Sequence, residues 1–234
     1  MDGGSRDGSV EIIKKYESKI HYWQSGPDGG QAAAIEAGIK KSTGSILAYL
    51  NSDDYLLPGA LSSVADFFLR HPEVQWICSD VRQIFEGGKY APGIIKADPQ
   101  TSFEKYFCKM PFAQPGVFWR AQTAEKAAFE KKYQYCMDFD FFAKLFYFYG
   151  PPAFIPSVLA VFRTHDESKS STMMRVCEKE STGIVRDWTR KLPWHRAMRL
   201  QYYWQTMLLR GRLQSAKSGV IQSLKSLCRG LGGR

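Results

Sequence analysis

Apolar and polar positions along the first 80 residues fall into alternating helical and strand rhythms. A turn-rich opening, "MDGGSRDGS", leads into Val10, Ile12, Ile13 and Tyr16 at helical spacing. "KIHYW" reads as a short strand, "GPDGG" as a turn, and "QAAAIEAGIKKSTG" as a helix closed by Gly44. "SILAYL" is a buried strand that stops abruptly at "NSDD". Pro58 then opens the helix "PGALSSVADFFLRHP", and "EVQWICSD" follows as another strand. Strand and helix in turn predict a mostly parallel sheet with helices on its faces. After Val81 the rhythm changes. "VRQIFEGGKYAPGII" is hairpin-like around Gly87 and Gly88, and "YCMDFDFFAKLFYFYG" is a helix with Asp138 and Asp140 in its first turn. The aromatics of that helix cover it almost all round, the pattern of a core element. "AFIPSVLAVFRTH" is a last strand, and the remainder is helical with a break at Pro193.

Composition refines this picture without redirecting it. A chain of 234 residues with 44% hydrophobic content suits one sizeable core plus an appendage. Five cysteines, far apart and without a CxxC pair, argue against a disulfide framework and for a reducing cytosol. No apolar run reaches the roughly 18 residues of a membrane span, and the amino end does not read as a signal peptide. The net charge of +9 is unevenly placed: from Arg175 onward there are 13 Lys and Arg against 3 Asp and Glu, leaving 19 against 20 before it. Such a basic tail suits an anionic membrane face or nucleic acid, and equally a solvated helical surface.

The candidate chemistry gathers in "YLNSDDY". An apolar strand that ends in Asp53 and Asp54 delivers acid to the edge where α/β sheets bind ligands, and oxygen ligands there can hold Mg²⁺ or Mn²⁺ against a diphosphate. The same four residues are also ordinary turn chemistry. Asp138 and Asp140 suit the positive end of a helix dipole and could serve only as caps. His165 and Gln114 read equally as a surface histidine and a loop amide.

Taken in order, "DGGSRDGS", "PDGGQAAA", "YLNSDDY", "AQPGVFWR", "MDFDFFAKL" and "VFRTHDESKS" resemble the motifs of the inverting glycosyltransferases of family two. The likeness covers about residues 1–172 and leaves 173–234 as the basic helical tail. It implies an α/β fold of the GT-A (Rossmann-like) type, here lacking the strand-helix-strand portion that members place before the D-G-S turn. It also implies transfer of a sugar from a nucleotide-sugar donor to a hydroxyl acceptor, a glycan or lipid-linked precursor, with inversion. By the same resemblance Asp2 lies by the nucleotide base, and Asp28 and Gln31 line the donor site. Asp53, helped by Asp54, holds a divalent cation, Mn²⁺ or Mg²⁺. His165 faces the diphosphate or its metal, with Arg163 and Lys169 adding positive charge; Gln114 touches the acceptor. Asp138 is the general base and Asp140 the reserve candidate.

Two further readings stand beside this one. A truncated, non-catalytic remnant or sugar-nucleotide-binding module keeps the same motifs but lacks part of the nucleotide floor. A nucleic-acid binder rests on the basic tail alone, without zinc spacing or a helix-turn-helix signature. The expected location is cytoplasmic, peripheral on the inner face of the membrane, where Trp188, Leu192, Trp194, Met198, Tyr202 and Leu209 could share apolar surface among cations.

Overall fold

The computed structural model describes residues 1–88, 91–165 and 168–211. Asp166 and Glu167 of the "FRTHDESKS" motif, and the tail from Arg212 on, lie outside the described residues. The chain forms two compact units, one of residues 1–103 and 110–184 and the other of 104–109 and 185 onward.

The first unit holds a six-stranded sheet. Its strands are β1 (Ile46–Leu47), β2 (Tyr55–Leu56), β3 (Trp76–Phe85), β4 (Gly93–Ile95), β5 (Phe118–Arg120) and β6 (Ala153–Thr164). They lie in the order β1-β5-β3-β6-β2, with β4 also on β3. The helices are α1 (Ser9–Lys15), α2 (Gln31–Lys41), α3 (Ala60–Arg70), the short α4 (Phe103–Tyr106), α5 (Met137–Tyr149), the short α6 (Lys169–Thr172) and α7 (Met174–Lys191). One more helix, α8, covers 194–211 and belongs to the second unit.

The α/β class and flanking helices are as expected, but the sheet is mixed rather than mostly parallel. Among the named strands only β3 and β6 run parallel, paired from Ile77↔Ala153 to Phe85↔Thr164. The pairs β1/β5, β2/β6, β3/β4 and β3/β5 are antiparallel. The reason lies in which segments find partners. "KIHYW", read as a strand, contributes only a parallel bridge from Asp2 to Ser25, and Ile20 and Tyr22 stay exposed. The pairing is instead made by the later segments, which return by hairpin and loop. "VRQIFEGGKYAPGII" is one such hairpin, with Val81 opposite Ile95.

Helix-face burial follows the apolar spacing. Ala60, Val64 and Phe68, four residues apart on α3, pack with Ile77, Phe118, Ile155 and Leu159 of the sheet. Within the same unit, Phe142 of α5 stacks with Trp76, and Phe141 stacks with Phe129 at 4.1 Å. Each such fully buried side chain contributes roughly 1.5–3 kcal/mol. The aromatics of α5 are therefore core on most of its circumference, while Tyr147 and Phe148 reach solvent. Helix α1 differs: it buries no residue, and Ile12 and Tyr16 are exposed despite their helical spacing.

In the second unit, α8 starts after a break at Pro193, whose carbonyl accepts from Ala197 N at 2.9 Å. Phe107 packs with Trp188, Arg196 pairs with buried Glu104 at 2.7 Å, and Gln201 donates to Thr189.

Candidate active site

Five loops of the first unit carry the polar residues in question. The amino-terminal loop is organised around Asp2. Its carboxylate accepts from Gly4 N and Ser5 N, both at 3.0 Å, from Ser5 Oγ at 2.5 Å and from Ser25 Oγ at 2.6 Å. The hydrogen bonds from Ser25 and Ser5 hold its carboxyl well below the usual carboxylate range. Asp28 lies against the next residue along, since a Cβ on Gly3 would stand 3.3 Å from its Oδ2. Gly30 N donates to Asp28 Oδ1 at 2.8 Å and ties the second loop. Gly4, at φ 93°, permits the close passage of this loop over Gly26.

A side-chain chain then crosses the strand ends. Lys169 Nζ donates to Gln31 Oε1 at 2.6 Å, and Gln31 Nε2 donates to Asn51 Oδ1 at 2.7 Å. Asn51 Nδ2 reaches Gln114 Oε1 at 3.3 Å and Asp54 Oδ2 at 3.4 Å. Gln114 Nε2 in turn donates to Tyr49 O at 2.7 Å. Asn51 is thus the junction of the "NSDD" loop. Its one signal in the sequence is its place at the head of "NSDD". Gln114, the expected acceptor contact, is buried with both ends of its amide engaged, by Asn51 and by Tyr49 O. The turn that carries it is pressed onto β3: a Cβ on Gly116 would meet Ser79 Oγ and Val81 Cγ2 at 2.7 Å.

The neighbouring aspartates Asp53 and Asp54 diverge. Asp54 is buried and accepts from Arg163 N at 2.9 Å; burial raises its pKa, opposed by that hydrogen bond. The guanidinium of Arg163 pairs with Glu86, so its charge is already matched. Asp53 remains half-exposed, with its Oδ2 3.4 Å from His165 Nε2. Of the three expected metal ligands, Asp54 is turned inward, while Asp53 and His165 face each other. No cluster of three His, Cys, Asp or Glu side chains among the described residues suits a metal. The pair still fits a cation that works on a diphosphate, since Mg²⁺-type ions take one or two carboxylates and complete their shell from phosphate oxygens and water.

Asp138 sits in the first turn of α5, partly covered, and its Oδ1 accepts from Phe139 N at 2.7 Å. Burial pushes its carboxyl up to about 6, against the opposing pull of that hydrogen bond and of the Lys169 charge. Lys169 therefore links Gln31 to the neighbourhood of Asp138, and also donates to Gln134 O at 3.3 Å. Asp140 goes elsewhere. It is buried, and its Oδ2 makes an ion contact at 2.8 Å with Lys144, which also holds Glu130 and Ala128 O. The reserve base and expected acceptor contact thus lies in a buried ion pair.

A further residue emerges on α7. The Glu180 carboxylate accepts from Gln134 N at 2.8 Å, Tyr135 N at 3.0 Å and Cys136 N at 2.8 Å. It caps from outside the amides leading into α5, a helix with no side-chain cap of its own. One clue was available in the sequence: Glu180 is among only three acids in the basic stretch from Arg175. A separate concavity of about 350 Å³, lined by Leu47, Leu56, Val64, Pro115 and Phe118 among others, carries no carboxylate, imidazole or amine. The chemistry lies at the polar loops instead.

The fold that carries these loops has counterparts among solved structures. In S. aureus TarS, the structure of residues 1–349 superposes with a TM-score of 0.61 at 15% identity, covering 88% of this chain and 60% of that one. Its complex with UDP-GlcNAc gives 0.63 at 14% identity, covering 86% and 60%. The shared fold is that of GT-A glycosyltransferases. Residues 1–136 match Glycosyl transferase family 2, and the chain belongs to that family. An uncharacterized glycosyltransferase of Mycobacterium tuberculosis is 43% identical over 54 residues, 23% of this chain and 21% of its own length. The chondroitin synthase of Pasteurella multocida is 27% identical over 145 residues, 61% of this chain and 15% of its own. The chain thus spans about a fifth or less of the length of these curated relatives.

Proposed function

We propose that this chain transfers a sugar from a nucleotide-sugar donor to a hydroxyl acceptor, with inversion and with Asp138 as general base. The observation that carries the reading is the Asp138 carboxyl, raised to about 6 by burial and linked through Lys169 to Gln31. A carboxyl in that range is mostly ionised at neutral pH yet basic enough to accept a proton. The acceptor O–H gives its proton to Asp138 as its oxygen attacks the anomeric carbon. The bond from that carbon to the phosphate oxygen breaks on the opposite face, and the nucleoside diphosphate leaves with the electron pair. Lys169 supplies positive charge near the departing group, and Asp2, Asp28 and Gln31 shape the donor side. A divalent cation, Mn²⁺ or Mg²⁺, held by Asp53 and His165 would offset the charge developing on the diphosphate.

Support for the donor class comes from the shared fold, solved in TarS with UDP and with UDP-GlcNAc. The acceptor we propose is a glycan or a lipid-linked precursor of a cell-surface polysaccharide, met in the cytoplasm at the inner face of the membrane. No helix among the described residues is long and apolar enough to cross a membrane. One observation favours a second reading, a sugar-nucleotide-binding module without turnover: the Asp2 carboxylate is already engaged by Gly4 and Ser5 of its own loop and by Ser25. A screen of nucleotide sugars with Mn²⁺, read as both binding and nucleoside diphosphate release, separates the two. Release that is lost in Asp138→Asn supports the transferase. Binding without release, in wild type and variant alike, would assign the module.

A further inference from the structure

The basic end of the chain divides its apolar residues in a way that its sequence does not show. Trp188, Leu192, Leu200 and Trp204 are buried. Trp194, Met198, Tyr202 and Leu209 are exposed by 76, 65, 67 and 57%. At about 100° per residue these four fall within an arc of about 80° on α8, roughly opposite to or beside the face that carries Leu200 and Trp204. An exposed stripe of Trp, Met, Tyr and Leu, interrupted only by Gln205, is costly in water and marks a surface that something covers.

Charge indicates what that is. The described part of this unit carries eight Lys and Arg, at 105, 109, 186, 190, 191, 196, 199 and 210, against two acids, Glu104 and Asp187. Glu104 is buried and tied to Arg196. Arg199 and Arg210 are exposed on α8 itself, on one flank of the stripe. Apolar anchors with an aromatic belt character and a cationic flank complement an anionic bilayer, where Trp and Tyr rest at the headgroup level and Lys and Arg meet phosphate. A second copy of the unit would oppose cation to cation.

We infer that the α8 face formed by Trp194, Met198, Tyr202 and Leu209 lies on the surface of a bilayer that contains anionic phospholipid. The inference is independent of the transferase reading, because binding needs neither donor nor turnover. The test is flotation of the full chain with phosphatidylglycerol-containing vesicles and with pure phosphatidylcholine vesicles, at low and high salt. Quenching of tryptophan fluorescence by brominated lipid reports on Trp194.

We expect binding to the anionic vesicles, with Trp194 quenched. The partition coefficient should fall about fivefold for each basic contact removed, as in Arg210→Gln, and further with salt. Met198→Glu with Tyr202→Glu should reduce it by more than about tenfold. Both sites are exposed, so the thermal unfolding midpoint should stay in place. Asp138→Asn should bind vesicles as wild type does, which separates this result from any outcome on catalysis. Equal affinity for neutral vesicles, or no binding at all, would overturn the inference. So would self-association abolished by the same double substitution, which would give the face to a second copy. Nucleic acid that displaced the vesicles by occupying this stripe would overturn it as well.

Discussion

Asp2 lies in the amino-terminal loop and Asp138 in the first turn of α5, and their surroundings tune them in opposite directions. Asp2 is set among four donors in an open loop, and those hydrogen bonds stabilise its ionised form. Asp138 is covered at the start of a core helix with one backbone donor, and burial raises it to about 6. The first is a fixed charge that organises a loop, and the second is a group that can exchange a proton near neutral pH. The difference comes from packing: α5 is wrapped in core aromatics, whereas α1, the helix after the Asp2 loop, buries nothing.

The largest effect should come from removing the exchangeable proton site. Asp138→Asn should lower turnover by roughly 10²- to 10⁴-fold with donor affinity nearly kept. The same change should stabilise the fold at neutral pH by about 1 to 3 kcal/mol, because the native state holds an ionised carboxylate where burial disfavours it. The sign follows from linkage. A raised folded pKa means the native state binds more protons between about pH 4 and 6, so stability from this group falls as pH rises through that window. Activity should rise across the upper part of the same window. Thermal melts from pH 4 to 8 on both chains check this, and an unchanged pH profile in the variant would remove Asp138 from the role.

Next in size is the cation. Asp53→Ala should weaken Mn²⁺-dependent binding of a nucleoside diphosphate by roughly 10- to 100-fold and leave the melting temperature unchanged, since a half-exposed loop carboxylate carries little packing. Asp54→Ala should act the other way round. It removes a buried acceptor from Arg163 N and should destabilise by about 1–3 kcal/mol. Titration calorimetry with and without Mn²⁺ distinguishes the pair.

Much of this layout is legible in the sequence. Helical spacing locates α3 and α5, Pro193 ends one tail helix, and the ordered motifs bring the polar loops together. What escapes is direction. Asp138 and Asp140 are two residues apart, so they face different sides of one helix turn, and only the position of Lys144 shows which is held inside. Asp53 and Asp54 part in the turn ahead of β2, where Arg163 N holds Asp54 inward and Asp53 is left facing His165. The mixed sheet was hidden because alternating strands and helices do not say which strands find neighbours. Glu180 was hidden because its partners are backbone amides about 45 residues away, which leave no side-chain pattern.

Glu180 allows a finer test. Glu180→Ala frees three amides ahead of α5 and should cost about 1–3 kcal/mol of stability with about a tenfold loss of turnover, since small displacements of a base are costly. Glu180→Gln keeps an acceptor oxygen and should recover most of the turnover. Hydrogen exchange at 134–136 should quicken in the alanine variant. Equal turnover in wild type and alanine would mean that the cap serves folding alone.

The smallest effect should be at the open end. Asp2→Ala removes the acceptor shared by Gly4 N, Ser5 and Ser25 Oγ, so the loop should lose its order while the core, which this loop does not enter, keeps its melting temperature. Donor affinity should weaken by a few fold and turnover at saturating donor should hold, the signature of uniform binding lost. Asp2→Asn keeps one acceptor oxygen and should fall between. The pH direction is opposite to that at Asp138. A lowered folded pKa contributes stability that is present above the unfolded value and lost as pH falls through the folded one, so the loop should loosen only in strong acid. Amide exchange at Gly4, Ser5 and Gly26, followed from neutral pH downward, reads this directly. Loosening between pH 4 and 6 instead would show that Asp2 and Asp138 titrate alike and that packing does not separate the two ends of the site.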